Sequence, residues 1–189
     1  VLGERGYHGC YWCQRFKIRG RAWDSNAVPP EERARRLREQ THCGEPEAPT
    51  TSGLVAYVDG EPAGWCAVER RSAYVRLGQI PWAGRAEDRK DPGVWAAACF
   101  VVRRRFRRRG VSRALASACV DFARERGARA IEGYAMLTQP GREIAWSELQ
   151  VGSRSIFAGA GFAEACRPSL RRVVMRLDFE SRGATRRKR

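Results

Sequence analysis

Residues 94–102 (VWAAACFVV) form an unbroken apolar run one strand long, the pattern of a strand buried on both faces. Beyond a basic stretch, apolar positions return at Val111, Ala114, Leu115, Ala118, Cys119, Phe122 and Ala123. Their three- and four-residue spacing predicts one face of a helix that stops at Gly127. Residues 128–136 read as the next strand, giving a strand–loop–helix–strand unit. A right-handed crossover lays the two strands of such a unit parallel and close together. Upstream, the apolar runs 54–58 and 63–68 flank Asp59-Gly60-Glu61-Pro62, which marks a hairpin. Residues 29–41 predict a charged helix with Pro at its start and Glu in its first turn. Residues 42–53 read as a loop rich in Pro, Glu and Thr. Downstream, a short helix over 153–159 ends at Gly161, and 162–166 with 171–179 form a closing pair of strands. Residues 70–93 follow no period; a loop of that length is often part of a binding mouth.

A length of 189 residues suits one domain over 1–180. It would comprise a Cys- and aromatic-rich segment with a helix (1–53), a core (54–180) and a basic tail (181–189). No apolar stretch reaches the roughly 20 residues of a membrane span, so no membrane partner is expected. The first residues carry no apolar signal core, which makes the cytoplasm the default location. Seven cysteines are scattered and odd in number; Cys66, Cys99 and Cys119 sit in apolar segments, as free thiols do in a reducing compartment. Against 21 Asp and Glu stand 36 Lys and Arg, nearly all Arg, for a formal charge of +15. Such a field attracts polyanions, whether nucleic acid or a phosphorylated cofactor, and by itself does not choose between them.

The segment FVVRRRFRRRGVSR, residues 100–113, narrows the choice. A buried strand runs into a basic loop, and the loop into a helix with small residues in its first turn. The first N–H groups of a helix lack internal partners and sit at its positive end. Gly110 lets a phosphate approach the backbone, Ser112 adds a hydroxyl, and arginines supply forked donors. Arg107-Arg-Arg-Gly110-Val-Ser112 resembles the [Q/R]-x-x-G-x-[G/A] signature of the GCN5-related N-acetyltransferase (GNAT) superfamily, with Ser as a small departure. The hairpin over 54–68 and the late Ser155-Ile-Phe-Ala-Gly-Ala-Gly-Phe162 resemble that family in order and spacing, from about 54 to 179.

The resemblance implies an α/β (α+β) fold. Its sheet would be mixed and mostly antiparallel, with a parallel pair splayed at the acyl-CoA site and helices on both faces. It implies acetyl-CoA as acyl donor, an amine acceptor, and frequent pairing as homodimers. The cofactor would be held by Phe100, Val102, Arg107, Arg108, Arg109, Gly110, Val111, Ser112, Arg113 and Phe157. A backbone N–H of the buried strand would serve the oxyanion. Many relatives carry Tyr where this chain has Phe157, and Phe cannot protonate the departing thiolate. Glu132 and Tyr134, two apart on one strand face, are candidates for base through water and acid; alternatively Glu132 pairs with an Arg and Tyr134 packs. Ser155 is a further donor candidate. Two other function classes stay open: a catalytically degenerate acyl-CoA sensor or scaffold, favoured by Phe157, and a basic nucleic-acid-associated protein. Cys10, Cys13, His42 and Cys43 admit a zinc site, a redox pair or plain packing. No metal is expected, because no second Cys-x-x-Cys appears.

Overall fold

The computed structural model describes residues 12, 14, 16–18, 28–45, 47–77, 87–138 and 149–180. Cys10, Cys13, most of the N-terminal segment, the middle of the 70–93 loop and the tail 181–189 lie outside the described residues. The elements are α1 (Pro30–Gln40), β1 (Gly53–Val58), β2 (Glu61–Arg70), β3 (Val94–Val102), α2 (Val111–Glu125), β4 (Ala130–Met136), α3 (Arg154–Gly159), β5 (Ala163–Ser169) and β6 (Arg172–Asp178). Each expected element is present within a few residues of its expected bounds. The hairpin turn is tighter than expected: Val58 pairs with Glu61 across Asp59-Gly60 alone, and Pro62 already belongs to β2.

The six strands form one sheet in the order β1-β2-β3-β4-β6-β5. All neighbours are antiparallel except β3 and β4, which run parallel as the crossover rule requires. The alternation of side chains sorts the buried residues into two layers. On one face Phe100, Ile131 and Met175 pack with Val111, Leu115 and Cys119 of α2 and Phe157 of α3. On the other, Trp65, Tyr74, Ala96, Cys99, Tyr134 and Val174 pack with Phe16 and with Leu37 of α1.

The β3–β4 ladder runs from Val94↔Ala130 to Ala97↔Gly133 and there stops, although both strands continue. A bulge supplies the reason. Between Trp65↔Val101 and Ala67↔Ala98, β3 carries one residue more than β2, and Cys99 takes the left-handed φ of 55°. An extra residue bends its strand and breaks local pairing. Here it turns β3 away from β4 one residue after Ala98. The opening thus follows from backbone geometry two residues beyond the last parallel pair.

Candidate active site

The open end of β3 leads straight to the basic loop. Arg104–Phe106 form a short 3-10 turn, Phe106 is buried, and Arg105 and Arg109 lie over its ring at 4.9 and 5.6 Å. This apolar plug fixes the loop while leaving guanidinium groups outside. Gly110 is the N-cap of α2 with φ of 80°, and a Cβ built there meets nothing within 4 Å. Its carbonyl accepts from the N–H groups of Arg113 and Ala114, so those of Val111 and Ser112 are the first of the helix without an internal acceptor. The space above Gly110 is therefore open, lies at a helix N-terminus and suits an anion.

The arginines around it divide into two sets. Arg105 pairs with Glu61, Arg109 lies 3.9 Å from Asp59, Arg103 donates to the Pro62 carbonyl, and Arg107 Nε donates to the Val102 carbonyl at 3.3 Å. Arg104, Arg108 and Arg113 are exposed and make no ion pair among the described residues. Arg108 and Arg113 flank Gly110 and are free to meet phosphate.

Between the parted strands lies a segment that the sequence reading did not single out, residues 149–153. The Phe100 N–H donates to the Gln150 carbonyl at 2.5 Å, and the Met136 N–H donates to the Gly152 carbonyl at 3.1 Å. Met136 also pairs with Ser153 in a parallel bridge. Just beyond, Phe157 is fully buried, edge-on to Phe100 at 5.6 Å and to Phe162 at 5.2 Å. A Cβ at Gly133 would run into the Phe157 ring, so glycine at the last parallel pair is what lets that ring seat at the fork. Ser153 caps α3, and its hydroxyl lies 3.0 Å from that of Ser155, which is exposed.

Glu132 and Tyr134 share the opposite face of the sheet. The Tyr134 hydroxyl donates to Glu132 Oε2 at 2.7 Å, and Glu132 is completely buried. Arg176 donates to Glu132 Oε1 at 2.7 Å, and Arg71 Nη1 lies 3.2 Å from Oε2. Glu87 closes the cluster, 3.3 Å from Arg71 and 2.8 Å from Arg176. Burial works against the Arg176 charge, but its bonds to Asp178 and Glu132 outweigh it and raise its pKa above the ordinary arginine value. A buried carboxylate is tolerable only when paired and hydrogen-bonded in this way.

The sequence nominations thus fall into three places. Phe100, Val102 and residues 107–113 line the strand end and helix start, Phe157 and Ser155 belong to α3, and the Glu132–Tyr134 pair occupies the far face. Sequence reasoning missed Gln150, Cys99, Arg71, Arg176 and Glu87. Arg176 carried no signal, since Arg172, Val174, Arg176 and Asp178 share one face of β6 and only Val174 among them is apolar. Of the zinc candidates, His42 bonds the Thr50 hydroxyl at 3.2 Å and Cys43 is an exposed free thiol. Among the described residues no group of three His, Cys, Asp or Glu gathers to hold a metal. Likewise, among them no helix is long and apolar enough to cross a membrane.

Comparison with known proteins bears on this geometry directly. Residues 16–143 match the model of the acetyltransferase (GNAT) family. Among solved structures, yncA of Salmonella typhimurium, in complex with its cofactor acetyl-CoA, is 17% identical with a TM-score of 0.52. The match covers 93% of this chain and 88% of that one. A GCN5-related N-acetyltransferase from Kribbella flavida is 19% identical with a TM-score of 0.50, covering 93% and 96%. A ribosomal-protein-alanine N-acetyltransferase from Brucella melitensis is 15% identical with a TM-score of 0.50, covering 89% and 90%. At these identities the likeness speaks for the fold. No curated protein matches the chain.

Proposed function

Since the chain belongs to the acetyltransferase (GNAT) family and is an N-acetyltransferase of that type, we propose that it passes the acetyl group of acetyl-CoA to a primary amine by direct attack on the thioester. The acceptor is an unidentified small molecule or protein. One observation carries this reading: β3 parts from β4 beside a helix that begins at an open, left-handed glycine among uncommitted arginines. In it, the N–H groups of Val111 and Ser112 with Arg108 and Arg113 hold the pyrophosphate. Phe100 and Val102 flank the pantetheine arm, and Phe157 forms the apolar floor beneath the acyl end.

The amine lone pair attacks the carbonyl carbon, the C–N bond forms as the carbonyl electrons move to oxygen, and collapse of that oxyanion breaks the C–S bond. CoA leaves as a thiolate. The proton shed by nitrogen passes to the Tyr134 oxygen as the Tyr134 proton moves to Glu132. Glu132, fully buried behind the hydroxyl, is reached through it; Arg71 and Arg176 keep the carboxylate in place. The thiolate draws its proton from Ser155 or from solvent, because Phe157 has none to give. The five described cysteines are all free, which supports action in the cytoplasm.

The test is calorimetric binding of acetyl-CoA, CoA and ADP to wild type and Gly110→Trp. At φ of 80° any side chain is strained, and an indole fills the open space of the phosphate. We expect acetyl-CoA to bind, ADP to bind far more weakly, and the variant to lose more than about tenfold in affinity, that is about 1.4 kcal/mol. Release of CoA thiol with a panel of primary amines then identifies the acceptor. Wild type that binds no acetyl-CoA would overturn the proposal.

A further inference from the structure

Gln150 stands where β3 and β4 have parted, and two features of it are independent. Its backbone carbonyl holds the Phe100 N–H at 2.5 Å. Its side-chain nitrogen, Nε2, is buried and has no hydrogen-bond partner among the described residues. The surrounding backbone is pinned: the Gly152 N–H closes a turn on the Leu149 carbonyl at 2.9 Å, and Val151 is fully buried. Gly152 in turn holds the Met136 N–H. The segment is thus fixed on both strands, while one amide donor in it is left unused.

A buried donor without a partner is costly, and native proteins keep such groups rarely. The described residues hold two others of this kind that bear on the comparison, Trp65 Nε1 and Ser52 Oγ. Trp65 belongs to β2, opposite Val55 and Val101, and Ser52 precedes β1. Neither is on the segment that lies between β3 and β4. Gln150 is, and the backbone N–H that the fold offers there is already engaged by Gln150 itself. We infer that the Gln150 side-chain amide, in place of the Phe100 backbone N–H, donates to the thioester carbonyl oxygen of acetyl-CoA and holds it as it becomes an oxyanion. A neutral amide is suited to this, because it adds no charge to a buried site and its fixed backbone makes the donor preorganised. This rests on the acetyl-CoA reading above.

Gln150→Ala removes the donor, and Gln150→Glu replaces it with an acceptor of similar size. Both are compared with wild type for thermal unfolding, for calorimetric acetyl-CoA affinity, and for the carbonyl resonance of bound acetyl-CoA labelled with carbon-13 at the thioester carbon. A donor on the carbonyl moves that resonance downfield in wild type, and both variants return it to the position of free acetyl-CoA. With any accepting amine, kcat falls about 10²-fold in the variants while affinity for acetyl-CoA changes by no more than about twofold. An unchanged downfield resonance in Gln150→Ala, with binding intact, overturns the assignment. So does a loss of affinity with kcat preserved, which would place the amide on the pantetheine arm. Absence of acetyl-CoA binding in wild type would strike the function itself, a separate failure.

Discussion

Removing the Tyr134 hydroxyl subtracts one atom from a buried pair, whereas altering Glu132 unbalances two arginines. Tyr134→Phe keeps the ring in its layer with Phe16, Tyr74 and Val174 and removes the hydroxyl that bonds Glu132. Its stability cost should be about 1.5–3 kcal/mol, the range for one hydrogen bond to a charged partner. Glu132→Gln removes the more deeply buried of the two carboxylates that Arg71, 2% exposed at its side chain, shares with Arg176, leaving them Glu87. Breaking a buried pair from one side costs about 3–5 kcal/mol. The informative variant is therefore Tyr134→Phe. If the hydroxyl takes the amine proton, kcat falls about 10²-fold while the KM for acetyl-CoA moves by less than about threefold. A purely structural Tyr134 predicts a lower melting temperature and an unchanged kcat. Steady-state thiol release together with a thermal melt separates the two.

Among the elements, β3 shows most clearly what sequence patterning delivers. Its apolar run named the strand, and the crossover rule made β3 and β4 parallel neighbours. The bulge that opens them was illegible, because Cys99 adopts φ of 55° without the glycine that usually flags such a backbone. The Gly110 cradle was legible because a loop with a glycine and a helix start are local features. The Glu132–Arg71–Arg176–Glu87 cluster was not, since it joins residues up to 105 apart in sequence, 71 to 176, through strand pairings that sequence alone does not give. The 70–93 loop was expected to form part of a binding mouth; its middle lies outside the described residues, and its described end clasps the sheet. Asp91 accepts from the Gly93 N–H at 2.7 Å and from both Arg129 Nε, at 3.2 Å, and Arg129 Nη2. The Arg129 bonds first, and the Gly93 N–H second, hold the Asp91 carboxyl below the usual carboxylate range. A lowered folded pKa adds stability that is present above the unfolded value, about 3.9, and is lost as pH falls through the folded one. Asp91→Asn should therefore be less stable than wild type at pH 7, and the gap should narrow near pH 3. Denaturant unfolding at both pH values checks this; a gap independent of pH would mean that the charge of Asp91 adds nothing to the stability of the clasp.

For the whole molecule the question is whether a charge of +15 describes a partner or a surface. Most described carboxylates are spent locally: Glu32 on Arg35 and Arg36, Glu61 on Arg105, Asp91 on Arg129, Glu164 on Arg167. The excess is not spread evenly. Seven arginines and no acid fall between residues 103 and 113, and Arg108 and Arg113, which make no ion pair among the described residues, flank Gly110 at the helix start where an anion fits. A cradle of that kind holds a few phosphates tightly, while a nucleic-acid surface needs a row of contacts along a backbone. The two predict different salt behaviour. A labelled RNA or DNA oligonucleotide should bind only at low salt, with Kd weaker than about 10⁻⁶ M at physiological ionic strength, the level of non-specific contact. Saturating acetyl-CoA should displace part of it, because both use the residues around Gly110. Fluorescence anisotropy across a salt series, with and without acetyl-CoA, measures both effects. Sub-micromolar binding at physiological salt that acetyl-CoA leaves untouched would mean that a second, polyanion-binding surface exists apart from the cradle.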